Sequence, residues 1–462
     1  MKKSIVAALI LATTFVFSFP ALAVDTVSPL ESQKSVTVRT VADTVNNPRV
    51  FALANGSSLV TWQEESEGGY YLRARTISAT NRLGSIRTIN SEKAVAISQG
   101  AGVQDSVSIN RNGKLFAVWV TQSLRYGVQS QRVWGRTSVD GINWSKPYIV
   151  ISALSVYGDF DTCVQDPTNT PRCGYLRIQT AIDDKGRQAV LVADNLETTG
   201  TRYRMKATNF VGEWSSFKTL SPVPELRTSE ILGLTSGFIV SATKYSGIGT
   251  NYVKVSYYSP KVEAWTNTLT AIASYTNTVF TSHWVQRDTK NLTIAIASSS
   301  DLGGVTMRNF NVDSKSWTSN LISVQAGAPN HVVQDIKAAK DGSNFIVMFN
   351  VYNQTNGITE VRVAKVVGVT PTTTVVGTSS DQINLLYAGA TQNYKGVVAY
   401  NHILEGAKLG GITASTAPIF LPNSATNSYL SALIKTKSDK VAAVGLKYGS
   451  GTTIVFTQGY RR

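Results

Sequence analysis

The residues with chemical potential in this chain gather in short polar segments: "QEESEGGYY" (63–71), "TQSLRYG" (121–127), "DNLETTGTRY" (194–203), "TKYSGIGTNY" (243–252), "NVYNQTNG" (350–357), "YNHILEG" (400–406) and "LKYGSGTT" (446–453). They contribute Glu64, Tyr126, Asp194, Tyr245, Asn401, His402 and Tyr448. Carboxylates, amides and phenols exchange hydrogen bonds with hydroxyls, and aromatic faces stack on sugar rings or extended peptides. This is the chemistry of recognition. The three histidines, His283, His331 and His402, lie far apart in sequence. A Ser-His-Asp triad or a metal cluster would need them to converge, so no metal is expected. No glycine-rich phosphate loop opens a helix, and no cofactor is expected either.

The only two cysteines, Cys163 and Cys173, fall in "SALSVYGDFDTCVQDPTNTPRCGYLRI" (152–178), where a disulfide would brace an insertion over 153–174. Closing so short a loop is worth about 3 kcal/mol in the chain-entropy picture. That is small for a chain of this size, so the bridge is expected to shape a loop more than to hold the fold. Two cysteines without a nearby histidine do not match a zinc site.

Those segments need a scaffold, and the repeats supply one. "FALANGSSLVTW", "SINRNGKLFAVW", "TAIDDKGRQAVLV", "LGLTSGFIVSA", "VQRDTKNLTIAIA", "KAAKDGSNFIVMF", "ATQNYKGVVAY" and "IKTKSDKVAAVGL" align on Gly56, Gly113, Gly186, Gly237, Lys290, Gly342, Gly396 and Asp439. Successive spacings are 57, 73, 51, 53, 52, 54 and 43 residues. A second marker, Trp144, Trp214, Trp265 and Trp317, keeps the same phase. A unit slightly over 50 residues, read as four short strands bounded by Gly, Asn, Ser or Asp, is a propeller blade. The first unit is expected over Arg49 to Ala54, Leu59 to Gln63, Tyr70 to Ser78 and Ser85 to Ile89. The last contains only three strands, and "SVTVRT" (Ser35 to Thr40) is spare at the other end. The sequence therefore predicts an all-β protein, a β-propeller of eight four-stranded blades whose N-terminal strand closes the last. Seven blades is the alternative, because the unit around Ile383 to Pro422 has weak outer strands.

Residues 1–23 combine Lys2 and Lys3, an apolar run from Ile5 to Phe19 and Ala21-Leu22-Ala23, the three parts of a secretory signal. A single propeller domain over 24–462 is expected to follow, secreted, monomeric and without membrane insertion once the signal is cleaved. The formal charge is +15 and falls to +13 without the signal. Dispersed lysines and arginines favour a glycan or anionic cell-surface polymer over nucleic acid, and a protein partner remains open.

One turn adds a resemblance. Ser138, Asp140, Gly141 and Trp144 in "RTSVDGINWSKP" nearly match S-x-D-x-G-x-T-W, with the tryptophan one residue early. The chain thus resembles the sialidase-like propellers that carry such Asp-box repeats. That family also uses three arginines gripping a carboxylate, a tyrosine nucleophile backed by a glutamate, and an acid/base aspartate. Here Arg49, Arg177 and Arg227 begin first strands, and Asp159 and Asp161 stand in the cysteine insertion as acid candidates. The family's arginine motif is matched poorly by "NPRV" (47–50), and its enzymes have six blades. In a propeller, second-to-third-strand loops and interblade connections share the face that normally holds ligands, whereas the box falls on the other. The reading is a secreted binding protein for glycans or cell-surface polymers; the alternative is a sialidase-like glycoside hydrolase or lyase.

Overall fold

The computed structural model describes residues 31–42, 45–66, 69–90, 105–125, 128–155, 177–196, 200–222, 226–244, 251–259, 261–266, 269–274, 280–286, 290–298, 304–380, 383–389, 397–402, 406–411, 417–418, 428–436, 441–448 and 451–460. Residues 1–23, where a secretory signal is expected, and most of the cysteine insertion lie outside them. Among the described residues no helix forms, and the strands assemble into eight antiparallel sheets. The first sheet contains Val45–Ala52, Ser58–Ser66, Gly69–Ile77 and Arg87–Thr88 in sequence order. The second begins at Asp105–Ile109, the third at Arg177–Ile182, the fourth at Leu226–Gly233, the fifth at Phe280–Gln286, the sixth at His331–Asp341 and the seventh at Ile383–Gly389.

The last sheet uses both ends of the chain. Glu31–Val41 pairs antiparallel with Thr452–Tyr460, followed inward by Val441–Tyr448 and Ser428–Lys435. Register places Val36 opposite Phe456 and Thr37 opposite Val455. The spare strand is therefore the outer strand of the closing sheet. Its Val38 is fully buried with Trp62, Val444 and Phe456. Burying such a side chain is worth about 1.5–3 kcal/mol, so closure is held by core packing as well as by the ladder.

From the second sheet to the last, each first strand neighbours the next, and Ser428–Lys435 of the last meets Val45–Ala52 of the first. Radial sheets with their first strands innermost make a β-propeller. Strand sequence follows from that placement. Second strands such as Asn291–Ser298 ("NLTIAIAS") and Asn344–Asn353 ("NFIVMFNVYN") are buried almost throughout, because neighbouring sheets cover both faces. Innermost strands alternate instead, as in His331–Asp341, where Val333, Ile336 and Ala338 are buried and Asp335 and Lys337 are not.

The repeat markers have local causes. Gly56, Gly113, Gly186, Gly237 and Gly342 all turn the first hairpin with positive φ. At Gly113 a Cβ would also lie 2.7 Å from Ala54 Cβ, so that position is restricted twice. The tryptophan marker is followed by Ser or Thr for a reason. Ser145 Oγ accepts from Thr137 N, Ser215 Oγ from Ala207 N and Thr266 Oγ1 from Tyr257 N, each tying the outer segment to the third strand.

Candidate functional site

Two carboxylates lie at one end of the first sheet, Glu64 on it toward the closing sheet and Asp105 on the neighbouring second sheet. Glu64 is near the end of the second strand, opposite Tyr71, and Trp62 is opposite Arg73. Alternation puts Glu64, Trp62, Tyr71 and Arg73 on the side facing the closing sheet. Arg39, two residues from the end of the closing strand, donates from Nη2 to Glu64 Oε1 at 3.1 Å. Trp62 Nε1 donates to Glu64 Oε2 at 3.1 Å, and Arg73 Nη2 lies 3.8 Å from Oε1. The Arg73 guanidinium also covers the Tyr71 ring, 4.6 Å from its centroid.

On the other side Asp105 opens the second sheet, and only 1 % of its side chain is exposed. Arg49 Nη1 donates to Asp105 Oδ2 at 2.6 Å, and its Nη2 donates to the Asp105 carbonyl at 3.3 Å. Gln63 Nε2 donates to Oδ1. A buried carboxylate survives only with such donors. The interface thus joins three guanidiniums to two carboxylates, and Arg39 keeps 40 % of its side chain exposed. Nearby, the Tyr70 phenol is held above its ordinary pKa, first by burial and then by the charge and hydrogen bond of Glu65. A phenolate base or nucleophile would need the opposite shift.

A second group lies on the innermost strands. His283 Nδ1 stands 3.5 Å from Glu230 Oε1, and Glu230 Oε2 accepts the Trp284 amide at 3.0 Å. Glu230 and His283 each precede the aligned turn residue by seven positions, as Arg49 does in the first unit. Lys337 Nζ lies 3.8 Å from Asp335 Oδ1. His283 thus has a carboxylate beside it, although it meets neither of the other histidines among the contacts described. His331 is local in its contacts, with Nδ1 at 2.8 Å from the Pro329 carbonyl.

Of the residues expected at the site, Arg49 and Glu64 flank the same sheet. Tyr448 is exposed at the end of its strand, one loop from Thr452, which pairs with Val41. It stands on the same face. Arg177 opens the first strand of the third sheet, Asp194 pairs with Arg202, and Asn401 and His402 end a strand paired with Asn384 and Ile383. Tyr126, Asp159, Asp161, Cys163, Cys173 and Tyr245 lie outside the described residues. Sequence reasoning missed Arg39, Arg73 and Asp105. Arg73 was accessible from strand alternation, and Asp105 precedes Gly113 by eight residues as Arg49 precedes Gly56 by seven.

The Asp-box-like turn is on the opposite face and is closed on itself. Asp140 Oδ1 accepts the amides of Ile142 and Asn143 at 2.8 Å, and Ser138 Oγ accepts that of Gly141 at 2.9 Å. Partial burial raises the Asp140 pKa, but the bonds from Asn143, Ile142 and Ser138 outweigh it and bring the value to about 2. Trp144 packs against the core between the first two sheets. Thr208 and Trp214 repeat the Ser138–Trp144 bridge in the third sheet, with Asn209 receiving the amides of Val211 and Glu213.

No family model matches the sequence, and no curated protein does. Solved structures do share its shape. The polysaccharide lyase Uly1 aligns over 94 % of this chain and 100 % of its own, with TM-score 0.52 and 9 % identity. A polysaccharide lyase described as a PL25 ulvanlyase bound to -[GlcA(1-4)Rha3S]- covers 83 % and 97 %, at 0.45 and 11 %. The NanB sialidase of Streptococcus pneumoniae covers 87 % and 83 %, at 0.38 and 10 %. At such identity the likeness to Uly1 extends to the fold and not to the chemistry.

Proposed function

We propose that residues 24–462 form one exported propeller domain that binds an anionic glycan where the first sheet meets its two neighbours. The excess of guanidinium over carboxylate carries this reading: Arg39, Arg49 and Arg73 are oriented by Glu64 and Asp105, and Arg39 remains accessible. Arginine suits sulfate and carboxylate because its planar donors match two oxygens at once. Glu64 and Asp105 act here as anchors for the arginines. The overall positive charge adds long-range attraction for a polyanion.

Titration of uronate- or sulfate-bearing oligosaccharides into the mature protein tests the proposal. Arg39→Ala is expected to weaken binding about tenfold, the worth of one charge-assisted contact, and added salt should weaken it further. Equal affinity for neutral oligosaccharides would count against it.

A catalytic reading has one observation in its favour, the Glu230–His283 pair, a carboxylate and an imidazole 3.5 Å apart on adjacent innermost strands. Together with a fold shared with a polysaccharide lyase, it makes β-elimination the reaction to look for. Ultraviolet absorbance from an unsaturated uronate, abolished in His283→Ala, would support that reading. Binding without product would leave the domain as a lectin-like module.

A further inference from the structure

We infer that a groove between the outer turns of the third and fourth sheets is a second saccharide site, suited to a neutral sugar. The groove measures about 520 Å³ and lies on the face of the Asp-box-like turn. Small-molecule sites commonly span about 300–1,000 Å³. Trp214 and Phe217 line it, half-buried, above a floor of Tyr258 and Trp265, which are buried and packed with centroids 5.2 Å apart. The rings of Trp214 and Phe217 offer apolar surface to the C–H face of a pyranose.

The rim is polar and mixed in charge. Glu213 and Glu263 are exposed at the groove with Lys218, while Lys206 and Arg204 lie against the rings of Trp214 and Phe217, so carboxylates and cations are balanced here in a protein of formal charge +15. Asn209 Nδ2 donates to Glu213 Oε2 at 3.1 Å, which orients that carboxylate. Carboxylates accept hydrogen bonds from sugar hydroxyls. Tyr258 Oη and Trp265 Nε1 are buried beneath the groove without a hydrogen-bond partner. A hydroxyl seated there after a slight tilt of either ring would supply an acceptor the protein lacks.

The test uses xylohexaose, cellohexaose and maltohexaose, titrated by calorimetry and tryptophan fluorescence into the full mature chain. At least one should bind saturably. Glu213→Gln combined with Glu263→Gln, two surface changes that spare the core, should weaken it about tenfold or more. Trp214→Phe should also weaken it, and Arg39→Ala should leave it unchanged. Thermal melts of each variant separate lost binding from lost fold. The inference is overturned if none of the three sugars binds at about 10 mM, if affinity survives the double glutamine change, as expected for an apolar peptide groove, or if Arg39→Ala abolishes binding, which would place the sugar at the first site. These arms separate its failure from that of the anionic-glycan proposal.

Discussion

Asp140 and the pair Glu64 and Asp105 are carboxylates on opposite faces of the first two sheets, and they are held by opposite means. Asp140 is satisfied within its own turn by neutral amides and a hydroxyl no more than three residues away. Glu64 and Asp105 are satisfied by guanidiniums brought from other strands, 25 residues away for Arg39 and 56 for Arg49. A carboxylate locked by local neutral donors shapes a turn and leaves no cation for a ligand. One locked by arginines positions them, so the tertiary fold itself builds a cationic surface. The contrast explains why the box-like motif is structural, and it is why the proposed binding site is placed at an unmarked sheet edge.

The largest way to break the difference is to remove residues 24–41. That exposes the Thr452–Tyr460 edge, empties the place of Val38 and takes Arg39 from Glu64. Loss of cooperative unfolding, or aggregation, is expected while the local Asp140 turn has all its partners. A truncated chain that melts with the intact one would show that closure contributes little.

Next in size is Asp105→Ala, which leaves Arg49 and Gln63 facing an apolar gap. A loss of about 3 kcal/mol is expected by denaturant titration, as for removal of one partner from a buried pair. Under 1 kcal/mol would mean that solvent reaches Arg49 and the site is looser than the geometry indicates. Glu64→Gln keeps the acceptor for Trp62 and should cost less than Asp105→Ala.

Asp140→Ala should cost about 1 kcal/mol or less, because much of this side chain meets solvent. Its pH behaviour sharpens the comparison. The folded pKa of about 2 lies below the ordinary value of 3.8, so this stabilisation is complete above about pH 4 and is lost as pH falls through about 2. An Asp140→Ala melt series should therefore converge with the parent at the acid end. A constant gap from pH 7 to pH 2 would assign the loss to packing and not to charge.

Arg39→Lys should have the smallest effect on stability, within about 0.5 kcal/mol, since the position is at the surface. Its effect on an anionic glycan should be larger, because an ammonium cannot make the two-pronged contact. Equal binding by the lysine variant would reduce Arg39 to a diffuse charge.

Chain order, strand spacing and the spare N-terminal strand were legible in the sequence because their causes are local or periodic. Gly113 must turn with positive φ, and Ser145, Ser215 and Thr266 repeat one hydroxyl-to-backbone bond after each tryptophan. The three-strand last unit likewise demanded a fourth strand from elsewhere. Glu64 and Arg49 were visible as residues on the expected face, but their partners were not. Which arginine reaches which carboxylate depends on register and on the meeting of sheets formed by distant segments. The spacing of Arg39 and Glu64, or of Arg49 and Asp105, has no period short enough to read. The aromatic groove has the same origin: Trp214 and Trp265 announced themselves as repeat markers, and only the packing of adjacent sheets set one beside the other to make a cavity.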